Sequence, residues 1–233
     1  MKEIQYQSQI DTSGNEGVSA NDCFNALTAD QKVLMENSTT ILNFAKGETI
    51  IKQGYIATHA LLIESGLVKL DVTNDKKTST VRLLGSKSFV GIACSFACKT
   101  LDFSAVALEE AVISMINLSV FEGLIKENGE FALKLIRHMS QGTNSIVHWI
   151  TKLANKNVEG SLAMIIREFS KAYSSNEYSL PVTRIGLAEL AGCSKESAIH
   201  TLTHFHNDGI IELDGKGIRI IDEDKLDFLI RIG

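Results

Sequence analysis

The chain has 233 residues, with 23 Lys and Arg against 28 Asp and Glu, for a formal charge of −5. That length leaves room for two ordinary domains, each with its own core. The acidic balance argues against non-specific coating of nucleic acid, which depends on neutralising phosphates, and no apolar run approaches the roughly 18–20 residues that span a membrane.

The N-terminal stretch MKEIQYQSQIDTSGNEG has no apolar core, so it is not a secretory signal. The protein is expected to be cytoplasmic, with its four cysteines (23, 94, 98 and 193) reduced; no CxxC pair suggests a zinc ribbon. Residues 1–20 are polar, with scattered Gly and Ser, and are expected to be disordered or loosely attached. Asn21 to Asn37 reads as a short helical lead-in with Phe24, Leu27, Val33 and Leu34 on its apolar face.

From Ile41 to about Asn117 the texture changes. Short apolar runs (ILNF, TII, ALLIESG, LVKLDV, TVRLLG, FVGIA, FSAVAL, AVISMI) are separated by Gly47, Gly54, Gly66, Gly85 and Gly91. Short strands with glycine turns and no helices between them predict an antiparallel sandwich or barrel-like roll, with NDKKTST as a hairpin tip.

Helix returns at Leu118–Asn128, and a longer one runs from about Glu130 to Ala154. Along it Ile136, Met139, Thr143, Ile146, Ile150, Leu153 and Asn157 recur at intervals of three and four. So narrow a seam is what a two-helix coiled coil buries, and it predicts a homodimer; the alternative, a helix packed against its own sandwich, would want a broader stripe. A break follows at Asn157. Val158–Tyr173 is amphipathic through Leu162, Ile165, Ile166 and Phe169, and SSNEYS reads as a loop.

The segment LPVTRIGLAELAGCSKESAIHTLTHFH (180–206) carries the sharpest signal. Arg184–Leu190 reads as one helix, Ala191-Gly192-Cys193 as a tight turn, and Ser194 as the cap of a second helix reaching His206. Gly192 supplies left-handed backbone, while Ala188 and Ala198 are small where crossing helices approach. This is helix-turn-helix spacing. Lys195, Glu196, Ser197 and His200 occupy the first two turns of the second helix, where Lys can reach guanine and Glu can accept from cytosine. Beyond it, two strands around Asp214-Gly215 make a hairpin with Lys216 at its tip, placed to meet a phosphate, and Asp222–Ile232 closes with a helix. Residues 158–233 hold 8 Lys and Arg against 12 Asp and Glu, so cations must cluster for this part to bind DNA.

Taken together, the order is β-roll, long helix, hinge and winged helix-turn-helix. It resembles the Crp/Fnr family of bacterial transcription regulators, through KGETIIKQG (46–54) and ESGLVKL (64–70) in the roll and VTRIGLAELAGCSKES (182–197) with the GKGIRI hairpin. The resemblance covers the chain from about residue 25 onward. It implies an α+β fold: an N-terminal antiparallel roll of the cyclic-nucleotide-binding, double-stranded β-helix kind (21–128), a dimerisation helix (129–157), and a C-terminal winged helix-turn-helix (158–233). It also implies a non-enzymatic regulator that reads double-stranded palindromic DNA as a homodimer, contacts RNA polymerase and senses a small effector. By the same resemblance Arg184 anchors the DNA backbone and Lys195-Glu196 read bases. His200 stands where many members have an Arg; imidazole cannot make the bidentate fork to guanine, so a changed base preference is expected.

Members that bind cyclic AMP place a Glu after Phe-x-Gly and an Arg before Ser or Thr. Here Phe89-Val90-Gly91 is followed by Ile92, and Phe103 precedes Ser104. There is no Arg from 83 to 136 and no Glu from 65 to 108, leaving Lys87 and Lys99 as the nearby cations; cyclic AMP is not the expected effector. Phe89, Ile92, Phe96, Phe103 and Ser104 would suit an apolar or aromatic ligand, or simply fill the space. Other sensor chemistries stay open. An iron–sulfur cluster needs four thiolates, and only Cys23 lies near the N-terminus. Cys94 and Cys98, four apart in a loop or short helix, could form a thiol switch or be buried small hydrophobes, Cys193 reads as packing, and haem could use His138 or His148. Any cofactor is therefore unknown. The alternative function is a ligand-binding or scaffolding module that uses the helix-turn-helix for protein contacts. No HExxH, GxSxG or P-loop pattern suggests an enzyme.

Overall fold

The computed structural model describes residues 18–75 and 77–233, and they form two compact units that divide between Ile146 and Val147. The N-terminal unit begins with α1 (Ala20–Asn25) and α2 (Ala29–Asn37). A single helical lead-in was expected, but the chain breaks at Ala26–Thr28. Each helix has its own capping box, Ser19 with Asp22 and Thr28 with Gln31. Leu27 is buried, whereas Val33 and Leu34 are about half exposed, so the expected apolar face does not continue into α2. Residues 1–17 lie outside the described residues. Residues 18–20, expected to be loose, are held: Val18 N–H donates to Gln141 Oε1 (2.9 Å), its carbonyl lies 2.6 Å from His138 Nδ1, and Ala20 is buried.

The roll is two antiparallel sheets. One has the order β1 (Thr39–Phe44), β8 (Ala111–Asn117), β3 (His59–Ser65), β6 (Phe89–Val90); the other is β2 (Thr49–Ile51), β7 (Ser104–Ala107), β4 (Val68–Asn74), β5 (Lys77–Leu84). β3 shows why the sequence reads ALLI without alternation. Leu61 and Ile63 face the core between the sheets, with Val68, Leu70, Val90 and Ile113. Ala60 and Leu62 face a second core, built with α1, α4 (Leu118–Glu127) and the start of α5 (Gly129–Ala154). A strand buried on both faces needs apolar residues at successive positions. FVGIA, expected as strand, stops after two residues. Gly91 turns left-handed (φ 74°) and the short helix α3 (Ile92–Ala97) follows.

α5 carries no Asp or Glu after Glu130, and the acid-free run extends to Val158, with Lys134, Arg137, Lys152 and Lys156 inside it. The division between the two units falls within this helix rather than at its ends.

The C-terminal unit contains α6 (Val158–Tyr173), β9 (Glu177–Ser179), α7 (Arg184–Ala191), α8 (Lys195–Asn207), β10 (Ile211–Asp214), β11 (Gly217–Ile220) and α9 (Glu223–Ile232). Its core gathers Leu162, Ile165, Ile166, Phe169, Leu187, Leu202 and Phe205. SSNEYS, expected as loop, contains β9, which pairs with β11 and completes the sheet β10-β11-β9. Tyr178 anchors that strand: buried, it donates its hydroxyl to the Ile166 carbonyl (2.6 Å), and burial pushes its pKa up. α9 is tied to α6 by Arg167, which pairs with Glu223 (2.7 Å) and Asp227 (2.8 Å).

Candidate nucleic-acid interface

Thr183 caps α7 by accepting from Gly186 N (3.1 Å). At the other end Gly192 (φ 66°, ψ 28°) turns the chain, and Cys193 N bonds back to Ala188 O (3.0 Å). Ala188 and Ala198 are both buried, which lets α7 and α8 cross closely. Ser194 then starts α8, its hydroxyl accepting from Ser197 N (3.0 Å).

This cap leaves the leading turns of α8 outside the core. Lys195, Glu196, Ile199 and His200 are exposed, while Ala198, Leu202 and Phe205 point inward. The expected reading residues therefore share an accessible helix start. Glu196, Ser197 and His200 also line an open cleft of about 570 Å³ with Asn157, Glu159 and Thr201. One turn further, His204 lies between two carboxylates, 3.8 Å from Glu159 and 3.6 Å from Asp208.

Two wing features follow from side-chain partners. Lys216 is exposed at the tip, beside Gly215 (φ 54°). Arg219, the wing's other cation, is held by Glu212 across the hairpin. Arg184, expected to anchor the DNA backbone, is half-buried and turned toward the wing, donating from Nη2 to Gly215 O (2.9 Å). Its Nη1 is buried with no partner among the described residues, and burial lowers its guanidinium from its ordinary value. Here Arg184 braces the wing against α7.

Along α5 the residues of the expected seam differ in exposure. Ile136, Thr143 and Ile150 are exposed, whereas Met139, Ile146 and Leu153 are only partly so, and Met139 packs on the unit's own core. An exposed stripe runs through Leu133, Ile136, Ser140, Thr143, Val147, Ile150 and Ala154, also spaced by three and four. The two registers share 136, 143 and 150. Leu133 and Val147 lie outside the expected register, and both registers satisfy the same periodicity.

Of the five residues expected to line an effector pocket, Phe89 and Ile92 share the outer core, and the other three lie apart from them. Phe89 faces outward into an aromatic cluster, 5.8 Å from Phe121, 5.7 Å from Phe24 and 5.5 Å from His138 by ring centroids. Ile92 joins that outer core, Phe96 is 42% exposed, and Phe103 packs on the core between the sheets. Ser104 Oγ accepts from Gln53 N (3.1 Å). Of the cations considered there, Lys87 pairs with Glu64 (3.0 Å). Arg82 was overlooked: half-buried on β5, it donates to Gly142 O of α5 (3.0 Å), and burial lowers its pKa. No carboxylate among the described residues forms an ion pair with it.

Comparison with known proteins gives the same architecture. Residues 41–128 match the cyclic nucleotide-binding domain and residues 146–229 the Crp-like helix-turn-helix domain. The chain is 28% identical over 192 residues to electron transport regulator A of Shewanella oneidensis, covering 79% of this chain and 76% of that protein. It is 25% identical over 210 residues to the anaerobic regulatory protein of Bacillus subtilis, covering 87% of each. Among solved structures, a putative transcriptional regulator of the Crp/Fnr family from Eubacterium rectale superposes with a TM-score of 0.74 at 21% identity, over 89% of this chain and 97% of that one. FixK2 from Bradyrhizobium japonicum gives 0.74 at 17% identity, over 82% and 96%. With both domain models matched in order and these regulators as relatives, the chain belongs to the Crp/Fnr family of DNA-binding transcription regulators, with a cyclic-nucleotide-binding-like sensing domain ahead of its helix-turn-helix.

Proposed function

We propose that the protein acts in the cytoplasm as a homodimer that reads a palindromic operator in double-stranded DNA with α8 of each protomer, and controls transcription through contact with RNA polymerase. The observation that carries this reading is the capped start of α8, with Lys195, Glu196 and His200 exposed and Ser197 half-buried. Lys195 would donate to guanine and Glu196 would accept from cytosine, while Lys216 would meet phosphate. The exposed apolar stripe of α5 is the surface on which two copies would pair. Two-fold pairing sets half-sites one helical turn apart, about 34–36 Å.

The effector is proposed to be something other than cyclic AMP. Ile92 stands where the ribose-binding Glu would be, and it is buried in the outer core; Phe103 stands where the phosphate-binding Arg would be.

Footprinting of the full-length dimer on a randomised operator library tests the reading. A palindromic preference is expected, relaxed at one base step by Lys195→Ala at a cost of about 1–3 kcal/mol. Lys216→Ala should weaken all sites alike and reduce the salt slope by about one. Binding that shows no sequence preference and no salt dependence would instead support the scaffolding role that the acidic balance of residues 158–233 favours.

A further inference from the structure

Two thiols sit one helical turn apart on the outer side of the roll, unused by anything described so far. Cys94 lies in α3, and Cys98 is its C-cap, with Cys98 N–H donating to Cys94 O (3.1 Å). Both are free; Cys98 is exposed and Cys94 partly so. Positions four apart on a helix share a face, with Cβ atoms about 5–6 Å apart. A disulfide accepts Cα separations of about 4.4–6.8 Å but draws the Cβ atoms to about 3.8 Å. The pair is thus within reach of a bond that the helix alone would resist.

The local structure can yield. α3 has six residues and no side-chain cap at its start, and Cys98 has already left helical geometry (φ −129°, ψ 0°). Lys99 follows in left-handed backbone (φ 59°). Cys98 Sγ contacts Thr100 O (3.3 Å) and Asp102 Oδ2 (3.9 Å), weak partners that do not bury it. A motion there would be transmitted, because the next residues are stitched to the segment entering β3. Ala57 N bonds Lys99 O (2.9 Å), Leu101 N bonds Tyr55 O (2.9 Å), and Gly54 N bonds Leu101 O (2.8 Å). At its other end α3 places Ile92 in the core shared with Phe131 and Leu135 of α5.

We propose that Cys94 and Cys98 are a dithiol site that hydrogen peroxide closes to an intramolecular disulfide, remodelling the last turn of α3. Cys98, the more accessible sulfur, attacks as thiolate. An S–O bond forms, the O–O bond breaks, and the departing hydroxide takes up the proton released by the thiol to become water. Cys94, as thiolate, then attacks the Cys98 sulfur. The S–S bond forms, the S–O bond breaks, and the second hydroxide leaves as water with the Cys94 proton. Two electrons pass from the sulfurs to the peroxide, and two waters are released. Dithiothreitol reverses the change.

A single tryptic peptide, Ser88–Lys99, carries both sulfurs and neither of the other cysteines. The full-length protein is treated with equimolar hydrogen peroxide, alkylated with iodoacetamide, digested and weighed. The expected peptide has lost two hydrogens and accepts no alkylation, and dithiothreitol restores both tags. In Cys94→Ser the reaction should stop at a Cys98 sulfenic acid that dimedone traps. Amide exchange at Ala57 and Leu101 should accelerate in the oxidised protein. The proposal is overturned if the peptide keeps both thiols, if Cys98 goes on to sulfinic acid while Cys94 still alkylates, or if Cys98 is found linked to a second chain. None of these outcomes depends on DNA binding.

Discussion

Gly66 closes the turn between β3 and β4 with φ +93°, and a Cβ there would lie 2.5 Å from Glu110 O and 2.7 Å from Ala111 Cα. Both the conformation and the space exclude a side chain, so Gly66→Ala should cost about 3 kcal/mol in denaturant unfolding. Cys23 makes a second residue-scale prediction. Burial raises its thiol from the ordinary 9.0 to about 11. The folded chain therefore holds that proton more tightly than the unfolded one, a contribution fully present below about pH 9 and lost as pH climbs toward about 11. Cys23→Ala should flatten the fall in stability across that window, measured by urea unfolding at a series of pH values. What could be read at this scale was local chemistry: Ser194 as a cap, Gly192 as a turn and Lys216 at a tip all stand where spacing puts them. The Thr28–Gln31 capping box was equally visible and would have revealed the break before α2. Arg82 was not legible, because its partner is a backbone carbonyl 60 residues away on another element.

Elements were legible where their pattern was self-sufficient and lost where it depended on a neighbour. α8 and the β10–β11 hairpin carry their own start and stop signals. β9 has three residues and is a strand only because β11 pairs with it; nothing in EYS distinguishes it from loop. Only the start of α3, Ile92-Ala93, reads as strand, because Phe89-Val90 begins as one, while Cys94 to Cys98 reads as loop or short helix; the left-handed turn at Gly91 redirects the chain. The placement of the residues around the expected effector lining follows from a related effect. Phe89 and Val90 are adjacent, yet alternation sends Phe89 to the outer core and Val90 to the inner one. On α5, periodicity alone does not choose between two registers for the proposed seam. Ile150 belongs to both and is 55% exposed. Ile150→Asp should therefore convert the homodimer to monomer in sedimentation velocity while leaving helix content unchanged; a variant that stays dimeric would move the pairing surface elsewhere.

At the level of the whole molecule, the order of roll, long helix and winged helix was written in texture: glycine-punctuated short strands, then a three-four repeat, then a cap and a turn. What composition could not reveal is how unevenly charge is distributed. Residues 131–158 contain no acid at all, while the segment that reads DNA is acidic overall. In the proposed dimer, two such helices laid side by side would repel one another, and dissolved anions would relieve that repulsion. The same ions compete with phosphate for Lys195 and Lys216. Raising potassium chloride should thus tighten self-association in sedimentation equilibrium as it loosens the grip on DNA in fluorescence anisotropy. Ionic strength should then act with opposite signs on α5 and on the helix-turn-helix, and DNA binding should peak at an intermediate salinity.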